Sequence, residues 1–132
     1  MSDAIDKFFT SAAFAAIGVS SKREKFGNKV LRCYQSHNMS VFPIHPLEAE
    51  IEGIRCLKSI ADLPDNVKSL SVITPPSLTE KIVEQAYSRG IENIWMQPGA
   101  ESELAIKKCK EYGINVIANG PCILVELNCH GL

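Results

Sequence analysis

Between Gly18 and Gly27 the chain carries Ser20, Ser21, Lys22, Arg23 and Lys25, with Glu24 as the one acid among them. Hydroxyls and cations gathered this way suit one task, the holding of an anion, because hydrogen bonds from charged donors to phosphate oxygens are the strong ones. The flanks fit that task. Phe14 to Val19 is a run of small or apolar residues, the pattern of a strand buried on both faces. Gly18, near its end, lets another backbone or a ligand come close. From Gly27 the pattern turns helical, with Val30, Leu31 and Tyr34 three and four residues apart. Strand, glycine-containing loop and helix start together present backbone N–H groups and a positive dipole end to an anion. A phosphate is expected there.

Other residues with chemical potential stand where later strands end. Val41 to Pro46 reads as a second strand ending in His45-Pro46. An NAD site offers Asp or Glu at that point for the ribose hydroxyls. Here Glu48 is displaced beyond a proline, which favours a phosphorylated adenosine over NAD. His45 reads as a ligand contact rather than a general base, since no nucleophile with a positioned carboxylate can be assigned near it. Thr74 before Pro75-Pro76 offers a hydroxyl, although the prolines alone explain why the strand stops. Cys122 follows a Gly-Pro turn and reads as a buried, inert thiol. Trp95 and Met96 read as core, and His37 and His130 as surface residues.

These positions need a scaffold. A helix from Ser2 or Asp3 through Phe9 is expected to pack across the sheet and cover an edge. The helix that opens at Gly27 runs to about His37, with Asn38 as C-terminal cap. Glu48 to Ile51 reads as a turn of helix, Ile54 to Leu57 as a minor strand or extended link, and Ser59 as the start of a helical turn. Leu70 to Thr74 is a third strand. Ser77 with Glu80 forms a capping box for a helix that ends at Gly90. Asn93 to Gln97 is a fourth strand, Ser102 to Tyr112 a helix closed by Gly113, and Ile114 to Ala118 a fifth strand. Strands alternating with single helices predict an α/β fold, a doubly wound parallel sheet of about five strands in one domain spanning residues 1–132. The unusual residues then converge on the C-terminal edge of the sheet, where open parallel sheets bind ligands.

Composition narrows the function classes. With 14 Lys and Arg against 15 Asp and Glu, the net charge is −1, and no global field favours nucleic acid or a membrane surface. No apolar run is long enough to span a bilayer, and the N-terminus has no signal-peptide pattern. Five cysteines, without Cys-x-x-Cys spacing, read as reduced thiols in the cytoplasm. No Cys/His cluster has metal-ligand spacing, so no metal is expected.

With these residues laid out, the chain resembles the small CoA-binding domain family, the Rossmann-like module that also forms the N-terminal domain of the succinyl-CoA synthetase alpha subunit. The resemblance runs from about Phe8 to Glu126. It rests on Ile17-Gly18-Val19-Ser20 with its polar loop, Val41 to Pro46, Val72-Ile73-Thr74-Pro75-Pro76, Ile94-Trp95-Met96-Gln97-Pro98-Gly99, and Gly113-Ile114 to Gly120-Pro121-Cys122. It implies a pyrophosphate beside Gly18, Ser20, Ser21 and Lys22, and adenosine beside His45 and Pro46. Thr74, Pro75 and Pro76 would lie along the ligand, with Gln97 and Gly99 on the pantetheine side. The second strand ends in His-Pro where stand-alone members often have Asn-Pro. The synthetase's second domain, with its phosphorylated histidine, has no counterpart in this sequence, so ligase chemistry does not carry over.

The expectation is a stand-alone binding protein for coenzyme A or an acyl-CoA, with no residue assigned a catalytic role. Two alternatives stay open. One is an NAD(P)-dependent oxidoreductase or redox-sensing nucleotide-binding domain. The other is a subunit that joins an acyl-CoA ligase in trans, so a protein partner or a homo-oligomer belongs to the expectation.

Overall fold

A computed structural model describes residues 3–129 of the chain. Five strands form a parallel sheet: β1 (Ala13–Ile17), β2 (Val41–Ile44), β5 (Val67–Val72), β6 (Asn93–Met96) and β7 (Asn115–Ile117), in the spatial order β2-β1-β5-β6-β7. The chain moves from β1 outward to β2 and then returns to β5 on the other side of β1. The order therefore reverses between β1 and β5, and a crevice opens where the connections diverge. This is the expected doubly wound α/β architecture.

Strand alternation divides the core between the two faces of the sheet. Ala13 and Ala15 of β1, Leu70 and Val72 of β5, and Ile94 and Met96 of β6 point to one face. There they meet Ile82, Val83 and Ala86 of α3 (Pro76–Arg89) and Ala105 and Cys109 of α4 (Glu103–Glu111). Phe14, Ala16 and Trp95 point to the other face. They meet Phe8 of α1 (Asp3–Phe8), Val30, Leu31 and Tyr34 of α2 (Phe26–Ser36), and Ile123 of α5 (Ile123–Glu126). Burial of Cys109 among apolar neighbours pushes its thiol up to about 12, so it stays protonated and inert.

α1 lies over β6 and the edge strand β7. A chain of side-chain hydrogen bonds holds it there. Ser69 Oγ donates to the Phe8 carbonyl at 2.6 Å, Asn93 Nδ2 donates to Ser69 Oγ at 3.1 Å, and Asn115 Nδ2 donates to both Asn93 Oδ1 and the Ala4 carbonyl. These polar groups would be costly if buried alone. Tyr34, buried in α2, spends its hydroxyl on Ser71 Oγ at 2.6 Å, and burial raises its pKa.

Several expectations need correction. Glu48 to Ile51 is not a helical turn. Glu50–Ile51 (β3) pairs antiparallel with Ile54–Arg55 (β4) through the two-residue connection Glu52-Gly53, both residues at positive φ. That is the backbone a two-residue hairpin turn requires, with Glu-Gly where Asn-Gly is the usual signal. Ser77 does not cap α3: the N-cap is Pro75, Pro76 is the first helical residue, and no side chain caps the end. β5 begins earlier than expected, at Val67, and α5 after Cys122 was not foreseen.

The cysteines are not all free. Cys33 of α2 and Cys129 after α5 are joined in a disulfide, 96 residues apart in sequence with Cα atoms 5.8 Å apart, while Cys56, Cys109 and Cys122 are free. Spacing along the chain cannot reveal a pair made by the packing of α5 against α2. Cys122 is half-buried at the N-cap of α5 rather than enclosed. Ser2 and His130 lie outside the described residues. No helix among the described residues is long and apolar enough to cross a membrane.

Candidate functional site

The junction between β1 and α2 is built on two glycines in contact. Gly18 has φ +93°, and a Cβ there would lie 2.1 Å from the Ile73 carbonyl oxygen at the end of β5. A Cβ on Gly27 would lie 2.3 Å from the Gly18 carbonyl oxygen. The loop leaving β1 is thus pressed between the end of the neighbouring strand and the first turn of α2. The expected close approach at Gly18 is made by the Ile73 backbone, so the residue is needed for the fold itself. A bulky substitution there would not leave a folded domain merely unable to bind.

No side chain caps α2. Its N-cap is Lys25, and the first bond of the ladder runs from the Lys29 N–H to the Lys25 carbonyl. The amides of Phe26, Gly27 and Asn28 therefore lack partners within the helix. The preceding loop is held in shape from behind. Asn28 Nδ2 donates to the Ser20 carbonyl at 2.8 Å and to Glu52 Oε2 at 3.1 Å. Arg32 Nε donates to Asn28 Oδ1 at 2.7 Å, and Arg32 also donates to the Arg23 carbonyl. The Lys22 amide closes a small turn onto Ser20 Oγ at 3.1 Å. Arg23 pairs with Glu52 at 3.5 Å, so its charge is shared with the hairpin, while Ser21, Lys22 and Lys25 are exposed.

Beside this junction a cleft of about 470 Å³ runs over the ends of β1 and β2, lined by Gly18, Val19, Ile44, His45, Pro46, Lys58, Ser59, Thr74, Leu78 and Gln85 among others. A second hollow of about 340 Å³, lined by Phe26, Ile73, Thr74, Pro75, Pro98, Gly99 and Ala100, meets it at Thr74. A larger hollow of about 520 Å³ lies along α4 beside the end of β7, lined by Glu103, Ile106, Lys107, Lys110, Glu111 and Asn119, and offers mixed surface charge; it shares no residue with the other two.

The fold brings Gly18, His45, Pro46, Thr74, Pro75 and Gly99 around these two hollows, which share Thr74 as a wall. Ser20, Ser21, Lys22, Arg23 and Lys25 form the adjoining loop, without lining either hollow. Pro76 opens α3. His45 Nδ1 accepts from the Leu47 and Glu48 amides, both at 3.0 Å, which leaves Nε2 as the ring's free position. Thr74 Oγ1 lies 2.8 Å from Thr79 Oγ1, so part of its hydrogen-bonding capacity is used internally. Gln97 is fully buried rather than facing a hollow. Its Oε1 accepts from the Ile123 amide at 3.1 Å, and its Nε2 has no protein partner.

Sequence reasoning missed Lys58, Asn28, Arg32 and Glu52. Lys58 reaches the cleft because the segment after β4 bridges to β2: the His45 amide donates to the Leu57 carbonyl and the Leu57 amide to the Pro43 carbonyl, both at 2.9 Å. No local signal marks that long-range pairing. The Glu48 and Glu50 carboxylates lie near the Cys56 thiol, where, after burial, they help raise its pKa. No carboxylate is among the residues lining the cleft.

Residues 12–128 match the model of the CoA binding domain family. An ADP-forming acetate–CoA ligase of Methanocaldococcus jannaschii is 29% identical over 88% of this chain and 17% of its own length. The alpha subunit of ADP-forming acetate–CoA ligase II from Pyrococcus furiosus is 23% identical over 96% of this chain and 30% of its own length. This chain thus spans less than a third of these curated relatives. A hypothetical protein from Pyrococcus horikoshii OT3 has the same fold, with a TM-score of 0.88 and 30% identity over 96% of this chain and 89% of that one. The chain belongs to the CoA binding domain family.

Proposed function

We propose that the chain binds coenzyme A or an acyl-CoA at the C-terminal edge of its sheet and performs no chemistry of its own there. The observation that carries this reading is the uncapped start of α2, locked by Gly18 and Gly27 beside a loop of hydroxyls and cations, with Phe26 and Gly18 lining the two neighbouring hollows. The pyrophosphate sits against the amides of Phe26, Gly27 and Asn28, with Ser20, Ser21, Lys22 and Lys25 as further donors and Arg23 as a shared cation. The adenosine occupies the cleft beside His45 and Pro46. Lys58 serves the ribose 3′-phosphate there, a group that a carboxylate would repel. The pantetheine runs past Thr74 and Pro75 toward Gly99. Pro76 and Gln97 support this path from α3 and from beneath. No side chain along it forms a nucleophile–base pair, which argues for binding over catalysis.

Calorimetric titration with CoA, dephospho-CoA and NAD tests the reading. CoA is expected to bind tightest, dephospho-CoA about ten-fold more weakly, since a charge-assisted hydrogen bond contributes roughly 1.5–3 kcal/mol, and NAD weakest. Added salt narrows the first gap, because Lys58 is exposed. A preference for NAD overturns the reading. A second reading, a subunit acting in trans with a ligase, is favoured by the kinship with an acetate–CoA ligase alpha subunit. Its test is co-purification with a ligase-type partner.

A further inference from the structure

Away from the strand ends, at the far end of α2, Cys33, His37 and Cys129 come together. Their ligand atoms, two sulfurs and an imidazole nitrogen, all lie within 4.8 Å of one another, and among the described residues no other such group of three occurs. Cys33 and His37 are one helical turn apart and so project from the same side of α2. Cys129 arrives from the segment after α5, and Ser36 Oγ lies 3.9 Å from its sulfur. The last turn of α2 has no basic side chain of its own to offset the negative end of the helix dipole. Both sulfurs are buried and the imidazole is exposed.

We propose that these three residues form a redox-gated zinc site. In the reduced protein the two thiolates and the imidazole supply three of the four ligands that zinc takes, leaving the fourth position to water. Thiolate ligands select zinc over magnesium or calcium. In the oxidised protein the same two sulfurs are bonded to each other, as the disulfide between Cys33 and Cys129, and cannot ligate. With hydrogen peroxide as oxidant, the two thiolates lose two electrons and form the S–S bond. Peroxide takes up those electrons and two protons to give two waters, and the zinc ion leaves. This departs from the sequence-based expectation of no metal, which rested on spacing along the chain. Cys129 is too far from Cys33 and His37 in sequence for any spacing rule to join them.

The test uses the full chain, reduced with dithiothreitol and desalted without air, then titrated with Co²⁺ as a spectroscopic stand-in for zinc. One equivalent is expected to bind with thiolate-to-cobalt charge-transfer absorption and strong tetrahedral d–d bands. Zn²⁺ bleaches both and Mg²⁺ does not. Protein oxidised with peroxide, shown by thiol count to retain only Cys56, Cys109 and Cys122 as free thiols, is expected to bind none. Cys33→Ser and Cys129→Ser abolish the charge-transfer band, and His37→Ala weakens binding by about ten-fold or more. Cys56→Ser leaves the spectrum unchanged. Should the cysteine variants not fold, zinc protection of the wild-type chain from maleimide, mapped by peptide mass, gives the answer without them. Protection of Cys33 and Cys129 supports the site. A reduced protein without the cobalt–thiolate band, a band that survives Cys129→Ser, or protection confined to Cys56 or Cys122 overturns it.

Discussion

Two helices begin on the same edge of the sheet, within reach of the same cleft, and only one is built to receive an anion. α2 starts with no capping side chain, a glycine in its first turn and a loop of hydroxyls and cations before it. α3 starts at Pro75 and Pro76, which have no N–H to offer, and the Leu78 and Thr79 amides are already committed to the Pro75 carbonyl at 3.0 Å. Both ends carry the same backbone dipole, so the dipole alone does not make a site. The difference lies in which donors remain open and how firmly the loop in front is held. At α2 that firmness comes from the Gly18–Gly27 contact and from the web of Asn28, Arg32 and Glu52.

The largest effect is expected from breaking the glycine contact. Gly18→Ala places a Cβ 2.1 Å from the Ile73 carbonyl oxygen in a backbone region that favours glycine, and Gly27→Ala places one 2.3 Å from Gly18. Each is expected to cost more than about 3 kcal/mol in urea unfolding and to abolish CoA binding. Wild-type stability for either variant would mean that the loop adapts freely. The comparison with α3 would then rest on charge alone.

The cations come next. Lys58→Ala is expected to weaken CoA by about ten-fold while leaving dephospho-CoA nearly unchanged. Lys22→Ala and Lys25→Ala are expected to weaken both ligands together, since both carry the pyrophosphate. Calorimetry on the three variants separates the two ends of the ligand. A uniform loss in Lys58→Ala would move its role to the pyrophosphate. Asn28→Ala, which frees Glu52 and the Ser20 carbonyl, is expected to cost roughly 1–3 kcal/mol of stability and to loosen binding through the loop.

How much of this was legible in the sequence follows the range of each interaction. The sheet and the β1–α2 junction were readable because buried strands, helical periodicity and glycines are local signals. The hairpin was lost because Glu52-Gly53 lacks the Asn-Gly signature, and with it went the support that Glu52 gives to Asn28 and Arg23. Lys58 was lost because it enters the cleft through a bridge between Leu57 and Ile44, residues far apart in sequence. The family resemblance puts Gln97 on the pantetheine side, yet its side chain is buried and accepts from the Ile123 amide of α5, an element the sequence does not signal. Cys33 and Cys129 failed for the same reason, since only the docking of the last segment on α2 joins them.

The smallest effect sharpens the comparison from the side of α3. Ser77 and Glu80 have the spacing of a capping box, but the box does not form, because Ser77 already lies inside a helix that begins one residue earlier. Glu80 instead accepts a hydrogen bond from Ser102 Oγ at 2.7 Å, and Ser102 Oγ accepts one from the Ala105 amide at 3.1 Å as the N-cap of α4. The carboxylate that the sequence assigns to its own helix thus buttresses the cap of the next one. Ser102→Ala is expected to cost about 1 kcal/mol, the usual loss for a serine N-cap. Ser77→Ala, an exposed serine without a capping bond, is expected to stay within roughly 0.5 kcal/mol of wild type. Urea midpoints of the two variants, read at a common slope, decide between the two serines. Equal losses would mean that Ser77 caps α3 in solution, and α3 would then start with a donor-satisfying side chain rather than with prolines alone.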